Sequence, residues 1–437
     1  MKIKTLYKKV TVSFFAMFIL GVFVNAQAPD VPPPAPAQQG AIYLTNATIH
    51  LGNGKVLQNA TIGFENGKII FLEENPSIKT DATMGKVIDC TGKHIYPGII
   101  STNTIVGLTE IEAVRATNDL SEVGQFNPNA RAIISYNTDS RVTPTLRSNG
   151  ILYAQVVPQD GFVSGTSAVV QLDAWNWEDA AVKNEDGVFV NWPSMFRFKW
   201  ETRAFEPNKD YDKQTTELKD YFKDAKSYFE AGTHEKTNLG FEAMKGLFDK
   251  SKNMYVNVNY VKEIQNVIAF AEELGVNVVL VGAKDSYMIA DVLAQKKIPV
   301  ILSKCHDLPT YEDDDIQQPY KTPAMLQKAG VLYCISIGAF WQERNLMFEA
   351  GTASAYGLTK EEALQAITLN PAKIMKLDNR IGTLEKGKEA SLIVSTGDVL
   401  DMKTSNIVQA FISGRQIDLN NKQKALNEKF SKKYGVN

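Results

Sequence analysis

Four histidines, His50, His94, His234 and His306, are the whole imidazole inventory of this 437-residue chain, and they limit any metal or general-base chemistry it can do. His306 stands in Cys305-His306-Asp307, just after the apolar run Ile298-Pro299-Val300-Ile301-Leu302. An imidazole beside a carboxylate at the end of a strand can act as a general base, so His306 and Asp307 are the catalytic candidates. No nucleophile is paired with His306 in the sequence, and a loop histidine held by local hydrogen bonds is the plainer reading. His234, in Gly232-Thr233-His234-Glu235, reads as a loop. Glu110, Glu112, Arg115 and Asp119 could bind a polar ligand or a cation, or stand as solvated loop charges. The run Glu312-Asp313-Asp314-Asp315 lacks the spaced oxygens of a calcium loop. Ser164-Gly165-Thr166-Ser167 offers backbone donors at a turn without a P-loop lysine. Trp175, Trp177 and Trp192 read as aromatic packing under a long loop, or as the floor of a pocket.

These groups need a scaffold, and the composition bounds it. Hydrophobic residues make up 44% and charged residues 22% of the chain, an ordinary globular balance, and the length suits a barrel plus an accessory domain. Lys2, Lys4, Lys8 and Lys9 precede an apolar run from Val10 to Val24, and Val24-Asn25-Ala26 ends in small or short residues. That layout reads as a secretory signal peptide over 1–26, with a run short for a spanning helix. Its removal takes four lysines and no acid, so the formal charge falls from −2 to −6. Nucleic acid and anionic membranes are therefore poor partners, and a periplasmic or secreted location is expected. Cys90, Cys305 and Cys334 form no disulfide framework; buried thiols in strands are expected.

Residues 27–40, with Pro32-Pro33-Pro34-Ala35-Pro36, read as an extended linker. From 41 to 98, short alternating runs joined at Asn53-Gly54 and Asn66-Gly67 predict β-hairpins. Residues 379–420 carry a second β piece, with strands over 390–394 and 407–412, and 421–437 reads as a tail. Between the two pieces, strands over 254–258, 276–281, 298–302 and 331–335 alternate with helices over 211–230, 285–296 and 322–329. That alternation predicts a parallel sheet with helical crossovers, and a closed (β/α)8 barrel over 99–378 fits its length better than an open sheet. Thr359 and Glu362 form a capping box for a helix over 359–369, ending at Asn370-Pro371.

Four segments carry a resemblance. They are Gly92-Lys93-His94-Ile95-Tyr96-Pro97-Gly98 with the strand after it, Ser148-Asn149-Gly150-Ile151 through Gln171, Thr368-Leu369-Asn370-Pro371-Ala372-Lys373-Ile374, and Ile381-Gly382-Thr383-Leu384-Glu385-Lys386-Gly387 through Val394. In this order they resemble the amidohydrolase superfamily, in its imidazolonepropionase-like branch. The resemblance implies an α/β fold, a TIM-like barrel with a small β-sandwich built from both chain ends. It also implies metal-dependent hydrolysis of non-peptide C–N bonds, with zinc or another divalent metal as cofactor. The family's first strand carries two histidine ligands where this chain has Asn103 and Ile105. The strand-five and strand-six histidines align with Asn257 and Gly282, and Ile337-Gly338 stands where the strand-eight aspartate is expected. Amides are poor ligands and isoleucine is none. The chain is thus expected to hold no metal and to act as a ligand-binding or partner subunit. Asn103, Glu110, Glu112, Asn257 and His306 are the expected binding residues. A small molecule is the expected ligand, and a second copy or an active homologue the expected protein partner. The alternative is an active hydrolase working through another site.

Overall fold

The computed structural model describes residues 31–76, 85–309, 311 and 313–436. The expected signal peptide, the first residues of the expected linker and Glu312 lie outside them. Strands open the chain as β1 (Ile42–His50), β2 (Val56–Glu65), β3 (Lys68–Glu74), β4 (Lys86–Asp89) and β5 (His94–Pro97). The middle holds β6 (Ile99–Thr104), β7 (Ile151–Val156), β8 (Val163–Thr166), β9 (Ala168–Gln171), β10 (Ala181–Lys183), β11 (Gly187–Asn191), β12 (Phe196–Lys199) and β13 (Ala204–Pro207). There follow β14 (Asn253–Val258), β15 (Val278–Gly282), β16 (Val300–Leu302) and β17 (Tyr333–Ile335), then β18 (Leu392–Ser395), β19 (Ile407–Ile412) and β20 (Arg415–Gln416).

The two chain ends, which the resemblance implied would meet in a small β-sandwich, build one eight-stranded sheet. Its order is β20-β19-β18-β5-β1-β2-β3, with β4 also paired to β1. The β2–β3 hairpin turns on Asn66 (φ 49°) and Gly67 (φ 75°), the pair of left-handed residues a tight hairpin needs. Leu44, Ile62, Phe64, Ile95, Leu392 and Phe411 fill a core of its own.

In the middle, β11, β14, β15, β16 and β17 run parallel side by side, and β6 and β7 form a second parallel pair. Alternation along these strands divides their side chains between two cores. Phe189, Tyr255, Val279, Val281, Ile301 and Cys334 gather inside with Val157 and Ile374. Val188, Met254, Val256, Leu280 and Val300 join the larger cluster that includes the covering helices. The eight-strand parallel ring expected from sequence does not form as one ladder among the described residues. Antiparallel β8 and β9 stand between the two parallel runs. On the other side Ile105 N–H and Thr104 Oγ1, at the end of β6, donate to Ala339 O, just beyond β17 (3.2 and 2.6 Å).

Several local expectations change in structure. Ser164-Gly165-Thr166 is strand β8, not a turn, and a Cβ on Gly165 would lie 2.5 Å from Ala130 O, so glycine there permits a close approach. The capping box of Thr359 and Glu362 is formed, but its helix stops at Gln365. A new helix, Leu369–Ile374, then places Pro371 near its start, where no backbone donor is required. The segment predicted as one helix over 285–296 is a 3-10 turn, Lys284–Ile289, followed by the helix Ala290–Lys296. The presumed tail holds the helix Lys422–Tyr434, capped by the Asn421 side chain accepting from Lys424 N–H. The presumed linker is docked. Ala35 N–H donates to Asp173 Oδ2 at 2.9 Å, Arg415 Nη1 donates to Ala35 O at 3.0 Å, and Gln38 Nε2 donates to Phe64 O at 2.9 Å. All three cysteines are free and buried, as expected, but only Cys334 lies in a strand. No helix among the described residues is long and apolar enough to cross a membrane.

Candidate functional site

The carboxyl ends of the parallel strands carry the positions where the resemblance implies metal ligands. Asn103 is left-handed (φ 52°) at a break in the β6 register between Ser101 and Thr104, a conformation asparagine tolerates. Its N–H donates to Gln155 Oε1 at 3.1 Å. Ile105, two residues on, is buried. On β14, Asn257 Nδ2 donates to Asn191 Oδ1 at 2.7 Å, and Asn191 Nδ2 donates in turn to Gly161 O (2.8 Å) and Ser164 Oγ (3.0 Å). At the end of β15, Gly282 has φ 81°, and a Cβ there would lie 2.8 Å from Asn259 Oδ1. Gly338, past β17, is also left-handed (φ 71°) and faces the Asn103 side chain. The strand ends are therefore occupied by amides, Asn257 bonded to Asn191, and by two left-handed glycines, of which Gly282 lies close to the Asn259 side chain.

Beneath them lies one saturated carboxylate. Asp186 accepts from Gln155 Nε2 (2.8 Å), Tyr255 OH (2.6 Å) and Lys183 Nζ (2.6 Å). Burial, and then the Asp186 charge, push the Tyr255 hydroxyl well above its ordinary range, so it stays a donor. A second buried carboxyl, Glu343, accepts from Ser101 Oγ (2.6 Å) and Ala339 N–H (2.9 Å). Burial raises its pKa to about 7, against those hydrogen bonds. Perturbed carboxyls often mark catalytic sites, but Glu343 has no exposed surface and braces β6 against the segment after β17. Among the described residues, no three His, Cys, Asp or Glu side chains group as a cation site.

The histidines lie elsewhere. His50 and His94 sit in the terminal sheet, where His50 Nδ1 meets Glu361 Oε1 at 2.6 Å and His50 Nε2 meets His94 Nδ1 at 3.1 Å. Both stack with Tyr96, and burial followed by the His50 charge lowers the His94 pKa. His234 stacks on Tyr228. His306, expected as a loop histidine held by local hydrogen bonds, is held by a distant helix instead. Its Nδ1 lies 3.1 Å from Glu349 Oε1, its Nε2 lies 2.6 Å from Thr352 Oγ1, and its N–H donates to Glu349 Oε2 (2.8 Å). Sequence reasoning missed both partners because they lie more than forty positions away on the helix Leu346–Ala355. Asp307 pairs with Lys284 at 3.0 Å. Burial opposes its charge, yet the Lys284 hydrogen bond and charge hold the carboxyl below the usual range. Asp307, Gly282, Leu302, Ser303, Lys304 and Thr322 border a cleft beside the ends of β15 and β16.

The remaining expected binding residues do not converge there. Glu110 braces its own loop, accepting from Asn137 Nδ2 (3.2 Å) and Arg141 N–H (3.3 Å). Glu112 is exposed, with its carbonyl taking Asn118 Nδ2. The three tryptophans are not one cluster, since Trp192 packs on Phe270 while Trp175 is 68% exposed. A wide cleft of about 730 Å³ lies among Thr145, Asn149, Trp341, Arg344, Asn406 and Gln423.

Comparison with known proteins bears on this arrangement. Residues 225–417 match the model of the amidohydrolase family. An amidohydrolase from Thermotoga maritima MSB8 is 26% identical, with a TM-score of 0.75 over 86% of this chain and 99% of that one. Molinate hydrolase is similar at 14% identity, TM-score 0.53, over 87% of this chain and 95% of that one. A Xaa-Pro dipeptidase with bound methionine is similar at 12% identity, TM-score 0.54, over 87% of this chain and all of that one; these last two likenesses speak to fold alone. No curated protein matches.

Proposed function

We propose, from the premise that this chain carries an amidohydrolase-family domain over residues 225–417, that it keeps the hydrolase scaffold without its metal chemistry and works as a ligand-binding or partner subunit. The fold likeness supports reading the two parallel runs as parts of one TIM-like barrel, with the terminal sheet as its companion β-sandwich. One observation carries the functional reading. The strand-end positions hold Asn103, Ile105, Asn257, Gly282 and Gly338, none of which carries an imidazole or a carboxylate. A histidine at 282 would meet Asn259, and the Asn257 amide is already paired to Asn191. A divalent cation needs imidazoles or carboxylates aimed at one point, and these residues do not fit one. What the strand ends offer is neutral hydrogen bonding, suited to a polar uncharged ligand. The leader-like first 26 residues support action in the periplasm or outside the cell.

A second reading has its own observation. Glu349, His306 and Thr352 follow one another in the order carboxylate, imidazole, hydroxyl, the arrangement by which a base activates a nucleophile. Thr352 Oγ1 also lies 2.9 Å from Phe348 O, which competes for its proton and favours a structural role. Hydrolysis of a panel of N-acyl amino acids and lactams, with and without added zinc or manganese, separates the two. The subunit reading predicts no turnover above the blank under either condition. Chelator-resistant turnover lost in Thr352→Val would establish the second reading instead.

A further inference from the structure

A small cavity lies between the proline-rich segment and the helix Thr143–Arg147 that precedes β7. Pro33, Pro34, Thr143, Arg147, Leu172 and Trp175 are among its walls, and its volume is about 220 Å³. At roughly 30 Å³ per water molecule, that is space for about seven waters or for one small organic molecule. None of Asn103, Asn257 and Gly282 lines it.

The Arg147 guanidinium is incompletely paired in this wall. The residue is 2% exposed, and its Nη1 donates to Asp173 Oδ1. Its Nε and Nη2 are buried and have no hydrogen-bond partner among the described residues. Those two N–H groups share one edge of the guanidinium and point the same way, the fork that holds a carboxylate by two parallel hydrogen bonds. A buried donor left unbonded is costly, so the free edge marks the place of an acceptor. The charges agree. Asp173 is one carboxylate serving two guanidiniums, since its Oδ2 also takes Arg415 Nη1 at 2.9 Å. Asp139, at the cavity, and Asp418, whose charge reaches Arg147, are both exposed, and neither bonds to the free edge.

Much of the remaining lining is apolar. The prolines carry no N–H, so that wall adds surface without donors. Trp175 is fixed through its backbone, its N–H donating to Asp179 Oδ2 at 3.0 Å and its carbonyl accepting from Thr138 Oγ1 at 3.2 Å. Its ring stands at the rim, 68% exposed. We propose that the cavity binds a small organic monocarboxylate, its carboxylate on the Nε and Nη2 edge of Arg147 and its apolar body between the prolines and the Trp175 ring. One negative charge balances the second guanidinium, and the ring supplies a flat apolar contact. Inorganic phosphate would use the edge and leave the apolar wall uncovered. The site does not depend on what the strand ends bind.

Isothermal titration calorimetry of the full-chain protein tests this with benzoate, phenylacetate and N-acetylproline, each against its neutral amide, and with inorganic phosphate. At least one acid should bind with one site per chain. Its amide should bind at least about tenfold more weakly, as expected for the loss of a charge-assisted hydrogen bond. Arg147→Lys keeps a charge for Asp173 without the fork and should weaken the acid at least about tenfold, with circular dichroism reporting the fold. Trp175→Ala changes an exposed ring and should weaken it at least about threefold with the spectrum unchanged. No binding of any acid at millimolar concentration, which would leave the edge to water alone, would overturn the proposal. So would an amide or phosphate that binds as tightly as the acid, or an affinity untouched by Trp175→Ala.

Discussion

Asp173→Ala should lower the free energy of unfolding by about 3–5 kcal/mol, the usual cost of removing one partner from a buried ion pair. Asp173 has no exposed side-chain surface, and Arg147 is 2% exposed. One carboxylate oxygen takes the Arg147 guanidinium, and the other takes Arg415 Nη1 and Ala35 N–H, both at 2.9 Å. Asp173 thereby ties the proline-rich segment, the middle of the chain and the terminal sheet at one point. Burial pushes the Arg147 pKa down and the Asp173 charge pushes it back. Alanine would leave that guanidinium buried without its counter-charge, and Arg147 Nε and Nη2 already lack partners among the described residues. Urea denaturation of parent and variant reads the difference, with an expected drop in midpoint at unchanged slope. A loss under about 1 kcal/mol, the range of an exposed pair, would mean that the pair is not held in a dry interior.

The second large effect is a pH dependence that Glu343 imposes. Its folded pKa of about 7 stands above the ordinary 4.5, so the folded state holds a proton that the unfolded chain releases. Stability from this group is then full below the ordinary carboxylate pKa and is lost as pH rises through about 7. The shift corresponds to about 3 kcal/mol at 1.36 kcal/mol per unit. Glu343→Gln keeps the shape without the titration, so the two proteins should match near pH 4 and the variant should be the more stable at pH 8. The quantity to measure is the difference between the two unfolding free energies across that interval, because other titrating groups cancel in it. A difference that stays flat would contradict a carboxyl buried in this way.

Elements with strong local signals could be read from the chain. The helix Tyr211–Ala231 and the capping box at Thr359 follow from periodicity and cap chemistry, which act within a few residues. The meeting of the two chain ends followed from the resemblance, which implied a small sandwich; the structure joins them in one sheet. Distant pairing was hidden. Glu343 looks like any acid beside a helix start, and only its contact with Ser101, 242 positions away, makes it a buried brace. His306 read as unaccompanied because Glu349 and Thr352 approach it through packing. Pro32-Pro33-Pro34 read as a free linker because composition says nothing of Asp173 and Arg415, which hold Ala35 in place. At the strand ends the residue types were legible at once. Their arrangement was not, since the left-handed turn at Asn103 and the crowding at Gly282 are properties of the folded backbone.

The central claim is that the scaffold persists where the metal site does not, and metal content of the purified protein tests it most directly. Mass-spectrometric analysis after dialysis against metal-free buffer should find zinc, manganese, iron and cobalt each well below one equivalent per chain. The same result is expected after incubation with excess zinc and a second dialysis. One equivalent of zinc or manganese retained through that treatment, and lost in Asn103→Ala or Asn257→Ala, would contradict it.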